Sequence, residues 1–482
     1  METAVILAQG EGTKIWPFNS TRPKAAIPIG GKELLRHQIE SLRRAGVSRI
    51  LIVANSRFAP RLRHLASGVG SQPLGAVGIR EADIPPVAEA KIDVLVLDPP
   101  RGTAPALQRA LESLEDRYIL ALYGDVLLDP ATLPNLLAAH RESPETSLAL
   151  VVPLDQLEDL TIHLAVRVKD SQVEEVIAHP RHSVTHRLAG AFAFDRQQVL
   201  PYLQAHPGYV PSIPSGGMPP QDEADLAQTL QMMVEDGLTV RTVEPAAFAL
   251  DIDRPWDILI ANYVWLEFLG KALTQDHIHP TAHVSERADV NGHLVVGEGA
   301  TIGPGVVLRG NAWVERNAEV TSGAIVGANT YIGPRTSVRD YAYLGDHTSI
   351  GPRCKVGHCA EVHGVVFGRS SIVHYCELWG VLGEAVDVGA ATVYGTLRFD
   401  DRPASHRIKG RWETPRFASD ATFIGDFCRT GVNVIFMPGS KVGAYSAIGP
   451  GVVVNGDVPE RSLLLLKQEV IRKDWGPEKY GW

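Results

Sequence analysis

Val284, Val290, Val296, Ile302, Leu308, Val314, Val320, Val326, Ile332, Val338, Leu344, Ile350, Val356 and Val362 stand six residues apart without a slip. Two positions before most of them sits a small residue: Ala282, Ala288, Ala300, Ala312, Ala318, Ala324, Thr330, Thr336, Ala342, Thr348, Cys354 and Ala360. Glycine often follows the aliphatic residue, as at Gly297, Gly303, Gly327, Gly333, Gly345, Gly351 and Gly357. A strict period of six is the sequence sign of a β-helix, whose coils stack into one continuous core. The aliphatic residue fills the interior of each flat face, the small residue fits where the interior narrows, and glycine permits the tight corner. After Val362 the register is lost, and residues 363–423 read as irregular, with a charged stretch from Arg398 to Trp412. Register returns at Ile424 and runs through Val442, Ile448 and Val454. An interruption inside a solenoid marks a loop projecting from one corner, and such loops often build sites between neighbouring subunits.

Upstream of the repeat the pattern changes. Strand-like runs at 4–8, 49–54, 93–97, 118–122, 147–152, 163–168, 189–194, 239–243 and 246–250 alternate with helical stretches at 32–45, 105–114, 131–140, 223–236 and 255–268. That alternation predicts a doubly wound α/β sheet. Residues 210–220, rich in Pro, Gly and Ser, read as a loop. The expected division is an α/β domain over 1–265, a connector over 266–278, the β-helix over 279–462 and a polar tail over 463–482.

Composition removes whole function classes. A length of 482 residues makes two domains the natural count. A net charge of −9 argues against nucleic acid as a partner. No apolar run approaches the roughly 20 residues of a membrane span. The first strand begins at Ala4, which leaves no room for a signal peptide. Cys354, Cys359, Cys376 and Cys428 show no CxxC spacing and read as small residues in a reducing cytoplasm. His277, His279, His283 and His293 repeat no ligand spacing and read as surface residues.

Chemistry enters right after the first strand, in Leu7-Ala8-Gln9-Gly10-Glu11-Gly12-Thr13-Lys14 and then Arg22-Pro23-Lys24-Ala25-Ala26-Ile27-Pro28. Glycines let a loop present backbone N–H groups to phosphate oxygens, and lysines neutralise a triphosphate. The string from Leu7 to Pro28 resembles the signature of sugar-1-phosphate nucleotidylyltransferases, a Rossmann-like family. Further pieces follow in that family's order. Arg101-Gly102-Thr103-Ala104-Pro105 resembles the segment at the base, Tyr123-Gly124-Asp125 the strand end with a metal ligand, and Gly190-Ala191-Phe192-Ala193-Phe194 the strand beneath the sugar. Asp251-Ile252-Asp253-Arg254-Pro255-Trp256-Asp257 resembles the segment carrying the second ligand. The resemblance implies nucleotide contacts at Gly10, Gly12, Thr13, Gly102, Thr103, Tyr123 and Gly124, charge stabilisation by Lys14 and Lys24, and Mg²⁺ held by Asp125 and Asp251, with Asp253 as a spare. Two anions must meet in such a reaction, and hard carboxylate oxygens suit the Mg²⁺ that screens them.

The departures fall mostly on the sugar side. Lys14 stands where Arg is usual and cannot offer its bidentate fork. Ala178 and His179 replace a Glu-Lys pair, and Leu188 replaces an Asn. Leu97-Asp98-Pro99-Pro100 lacks a pyrimidine-reading glutamine, which leaves UTP only modestly favoured over dTTP or ATP.

In the irregular stretch, Ser371-Ile372-Val373-His374-Tyr375 and Leu397-Arg398-Phe399-Asp400, with Arg429-Thr430-Gly431-Val432-Asn433 beyond it, resemble the acetyltransferase half of archaeal-type bifunctional enzymes that make UDP-N-acetylglucosamine. That resemblance implies a left-handed parallel β-helix of hexapeptide repeats, a homotrimer, and acetyl-CoA lying along the prism. His374 falls on the family's catalytic histidine, and a neutral imidazole suits proton removal from an attacking amine. Glu377, Thr396 and His363 stand where the family has Tyr, Asn and Lys.

Three readings are open from the sequence. The chain is a bifunctional acetyl- and nucleotidyltransferase, or a nucleotidylyltransferase with a structural β-helix, or a silent regulatory homologue of both.

Overall fold

A computed structural model describes residues 2–68, 89–154, 164–178, 184–205 and 224–480. The loop expected at 210–220 and His179 lie outside them.

The N-terminal half is built on a nine-stranded sheet. Its order is Lys91–Val96, Arg49–Ala54, Thr3–Leu7, Tyr118–Tyr123, His186–Asp195, Ser147–Pro153, Val240–Val243, Gln172–Ala178 and Leu164–Lys169. The first four strands are parallel, and His186–Asp195 runs antiparallel to its neighbours. Side chains alternate between two cores, as the period of two requires. Ala4, Ile6, Ile50, Ile52, Leu120 and Leu122 meet Leu35, Ile39 and Leu62 on one face. Val5, Leu7, Leu51, Val53 and Ile119 meet Leu107, Leu111 and Leu230 on the other. The chain order reverses at Thr3–Leu7, which lies between Arg49–Ala54 and Tyr118–Tyr123. A crevice for a ligand opens at the carboxyl ends of strands at such a switch point.

From His277 the chain forms a parallel β-helix. One ladder shows its geometry. His277 pairs with Val295, Val295 with Trp313, Trp313 with Tyr331 and Tyr331 with Ser349, so each coil takes three hexapeptides. The stretch from 363 to 423, expected to be irregular, is mostly regular. Ser349 pairs with Val365 and Val365 with Val381, so these coils fall just short of three hexapeptides. Glu361–Gly368 and Glu377–Glu384 are long strands that turn a corner at Gly364 (φ +116°) and Gly380 (φ +141°), and the shortened coils shift the hexapeptide phase. Val381 then pairs with Phe423, because an excursion leaves the coil near Gly395 and returns near Asp420. Part of that excursion is a hairpin of His406–Ile408 and Arg411–Glu413.

The two halves share a core. The helix Pro255–Ala272, longer than the 255–268 expected, lies on the prism. Its Trp256, Leu259, Leu266 and Leu269 pack with Phe18, Ile27 and Ile29 against Val295, Trp313, Tyr331, Val365, Val381 and Phe423. Those six are the outward-facing members of the ladder, while their neighbours Val296, Val314 and Ile332 fill the prism interior. Arg22 reinforces the joint. Its guanidinium donates to Asp426 and to Glu384 of the β-helix, with Arg22 3% and Asp426 0% exposed.

His406 anchors the hairpin, with Nε2 2.7 Å from Ser419 O and its ring 5.1 Å from Trp256. Burial and the charge of Lys441 push its pKa down to about 4. The unfolded chain therefore takes up a proton near pH 6.5 that the folded chain refuses. This contribution to stability is present above pH 6.5 and is lost as pH falls toward 4, by up to about 3 kcal/mol. Thermal midpoints between pH 7.5 and 5 should fall less steeply in a His406→Asn variant than in the native chain. Equal slopes would contradict this account.

Candidate active sites

The expected N-terminal site residues meet at the switch point. Gly10, Gly12, Thr13, Lys14, Lys24, Gly102, Thr103, Tyr123, Gly124, Asp125 and Asp251 all line one cavity of about 790 Å³. That size suits a nucleotide-sized ligand. The segment after Thr3–Leu7 is drawn against the end of Tyr118–Tyr123, where Gly124 N donates to Leu7 O (2.9 Å). Gly12 has φ +63°, and a Cβ there would stand 3.0 Å from Lys24 Cγ, so glycine leaves the path open for that lysine. At Gly102 (φ +100°) a Cβ would meet Ala224 O at 2.3 Å. Thr103 is fixed by its hydroxyl, which donates to Asp225 (3.2 Å) and accepts from Leu226 N (2.9 Å).

The carboxylates collect at the other end of the motif set. Ala249–Asp251 pairs with Val126–Leu128 so that Asp251 faces Val126, and Ile252 N donates to Asp125 O (2.9 Å). Lys24 Nζ reaches Asp125 (2.8 Å) and Asp253 (2.5 Å), and Lys14 Nζ reaches Asp253 (3.0 Å). Burial opposes the Lys24 charge, but Asp125, Asp253 and Asp251 together outweigh it and raise its pKa. Asp253 is held well below the usual carboxylate range because Lys24, Lys14 and Arg254 outweigh its burial. Asp251 opens onto the cavity, and crowding by its walls and by Asp125 pushes its pKa up. Two adjacent carboxylates that resist sharing negative charge fit a divalent cation, which would relieve both. Mg²⁺ characteristically takes one or two carboxylates, with water and substrate phosphates completing its shell. Asp257 has a different task, accepting from Asp253 N (2.8 Å) and Arg254 N (2.6 Å) at the start of the helix Pro255–Ala272.

The cavity also holds residues the sequence reading passed over. Gln9 donates to Gly102 O, and its buried amide oxygen has no protein partner among the described residues. Asp225 and Arg187 line the walls, and Lys409 enters from the hairpin of the β-helix. Leu188 lies on the cavity floor beside the bulge at Gly190, where the register against Ser147–Pro153 shifts.

His374 lies far along the chain, at an exposed corner of the prism. Its Nδ1 is 2.9 Å from Nδ1 of His358, one coil below, and His358 Nε2 is 3.2 Å from Asp340, a further coil below. The three occupy corner positions with φ between +51° and +63°. If Asp340 accepts from His358 Nε2, then His358 Nδ1 is an acceptor and His374 Nδ1 donates to it. The lone pair of His374 is then on Nε2. His363 is bound to Glu361 (2.8 Å) instead of facing a ligand. His277, His279, His283 and His293 form no cluster of three or more metal-ligating side chains among the described residues.

Residues 3–205 match the family model described as nucleotidyl transferase, so the N-terminal half carries a nucleotidyl transferase domain. Over nearly its whole length the chain is similar to proteins named for two activities. It is 26% identical over 463 residues to a bifunctional sugar-1-phosphate nucleotidylyltransferase/acetyltransferase of Sulfurisphaera tokodaii, covering 94% of this chain and 98% of that one. It is 29% identical over 475 residues to a bifunctional protein GlmU of Methanococcus maripaludis, covering 97% and 98%. A GlmU of Methanocaldococcus jannaschii is 26% identical over 483 residues, with 97% and 98% covered.

Proposed function

We propose that this protein is a two-site enzyme of nucleotide-sugar synthesis. The N-terminal site joins an NTP to a sugar 1-phosphate and releases pyrophosphate. The C-terminal site transfers acetyl from acetyl-CoA to the amine of an amino-sugar 1-phosphate. The observation that carries the first activity is Lys24, paired with both Asp125 and Asp253 in a cavity lined by every expected nucleotide contact. The boundaries follow the motifs, with 1–265 for nucleotidyl transfer, 279–462 for acetyl transfer and 463–482 as a tail.

Asp125 and Asp251 would hold Mg²⁺, which supplies charge neutralisation to the phosphates. The loop from Gly10 to Thr13 and the turn at Gly102 and Thr103 cradle the nucleotide, with UTP favoured. Lys24 and Lys14 stabilise charge that builds on the α-phosphoryl group as the sugar phosphate attacks and pyrophosphate leaves. In the other half, His374 Nε2 takes the proton from the attacking amine, while His358 and Asp340 hold its ring and tautomer. Among the described residues no helix is long and apolar enough to cross a membrane. We place the enzyme in the cytoplasm, where acetyl-CoA and nucleotides are made. Val432, Ile435, Val453 and Leu463 expose apolar surface along the prism, which favours a homotrimer. A sedimentation mass near one chain would exclude it.

The test is pyrophosphate release with Mg²⁺ for four NTPs against glucose-, N-acetylglucosamine-, glucosamine- and mannose 1-phosphates, with and without acetyl-CoA. Release from glucosamine 1-phosphate only when acetyl-CoA is present is the expected result. Silence with every pair would overturn the reading. His374→Ala should lower acetyl transfer by about 100-fold or more and leave pyrophosphate release unchanged. His358→Ala should lower acetyl transfer less, by about tenfold, because it removes orientation only.

A further inference from the structure

We infer that Lys409, carried by the β-helix hairpin, completes the nucleotidyl transfer cavity as the cation that receives the phosphate of the sugar 1-phosphate. The inference rests on the function proposed above.

The cavity's other lysines are already engaged. Lys24 is bound to Asp125 and Asp253, and Lys14 to Asp253. Neighbouring Arg254 bonds Asp253 and Glu413. Two arginines also line the cavity: Arg101 stands beside Gly102 and Thr103 at the nucleotide contacts, and Arg187 donates to Ala249 O (2.8 Å). Lys409 lines the same cavity, and its ammonium makes no ion pair among the described residues.

The hairpin is built to hold that side chain in place. Glu413 grips Arg254, the residue after Asp253, at 2.9 Å. His406 pairs with Glu413, and Ile408 with Arg411, so the tip stands three residues, roughly 10 Å, beyond that ion pair. Arg254 also bonds Asp253, so the base of the hairpin is tied to the carboxylate cluster, and the tip residue Lys409 lines the cavity. Ile408 is buried in the core shared by the two halves, and Lys441 Nζ donates to Arg407 O (2.8 Å). The two-residue tip is Lys409-Gly410, with φ +45° and +84°. A tight hairpin turn of this kind favours Asn-Gly, because both positions need left-handed backbone. Lysine is a poorer fit for that backbone conformation than asparagine, so the turn alone does not account for a lysine at the cavity.

Lys409→Asn separates charge from fold, since asparagine suits the turn, and Lys409→Arg keeps the charge. With full-length protein, Lys409→Asn should raise KM for the sugar 1-phosphate about tenfold, leave KM for the NTP within twofold, and leave acetyl transfer and thermal midpoint unchanged. Lys409→Arg should stay within threefold of the native chain. An unchanged sugar-phosphate KM, or an equal rise for both substrates, would overturn the inference. Binding of inorganic phosphate, followed by calorimetry, supplies a readout without turnover. It should weaken about tenfold in Lys409→Asn, and equal affinity would overturn the inference. Silence of the native chain in the pyrophosphate assay, with that phosphate difference intact, would reject the function and leave the cation's role standing.

Discussion

Lys24→Ala is expected to lower kcat/KM for pyrophosphate release by about 100- to 1,000-fold, the cost of removing one preorganised charge from a phosphoryl transfer site. Among the described residues Lys24 is the cation that pairs with two of the three clustered carboxylates, Asp125 and Asp253, and only 15% of its side chain is exposed. Without it, Asp253 keeps Lys14 and Arg254, Asp125 loses its ion pair, and an incoming triphosphate would add to the repulsion among the carboxylates. Raising Mg²⁺ should recover part of the loss, since a divalent cation opposes the same charge. Acetyl transfer should be unaffected, because His374 draws on Asp340 and His358 and not on this cluster. Release within tenfold of the native rate would contradict the role given to Lys24.

The second large effect is on stability. Asp426→Ala should destabilise the protein by about 3–5 kcal/mol, because it strips a buried guanidinium of its main counter-charge. Asp426 accepts from Arg22 and from the Thr21 hydroxyl, and it also accepts from Glu384 N (2.7 Å). Glu384 remains near Arg22 at 3.2 Å and softens the loss. Arg22 precedes Pro23 and Lys24, so the same substitution should reduce pyrophosphate release as the loop loosens. Denaturant unfolding followed by near-ultraviolet circular dichroism would measure the change. A loss below about 1 kcal/mol would show that the pair contributes little to joining the halves.

Much of this could be read from the chain. The period of six reveals the β-helix from its first coils, and the motifs that line the N-terminal cavity stand in the sequence in recognisable order. What escaped was nonlocal. The stretch after Val362 looked irregular because the shortened coils break a hexapeptide count even though they preserve the ladder. The docking face was written in the sequence at a longer spacing. Val295, Trp313 and Tyr331 stand one full coil apart and are large and apolar where the equivalent positions of the next face are Thr301, Glu319 and Ser337. A count by sixes sees only the interior residues and passes over that contrast. Lys409 had no local signal at all, since a lone lysine in a charged loop carries no address. Its meaning depends on a hairpin crossing from one half to the other. The His358–His374 contact was hidden for a similar reason, because a shortened coil separates them and no multiple of six connects their positions.

The apolar ladder from Val295 to Phe423 has a consequence for how such a chain can change over time. Modular proteins are commonly recombined by trading one half for another across a linker. Here the helix Pro255–Ala272 seals a face of the prism, and the short connector is only the visible part of the attachment. A transplanted prism would need its own matching aromatic and aliphatic column, an acid opposite Arg22, and a hairpin of the right reach. A borrowed N-terminal half would need the complementary surface. The halves are therefore bound to a shared lineage, and substitutions along their joint should be accepted in compensating pairs.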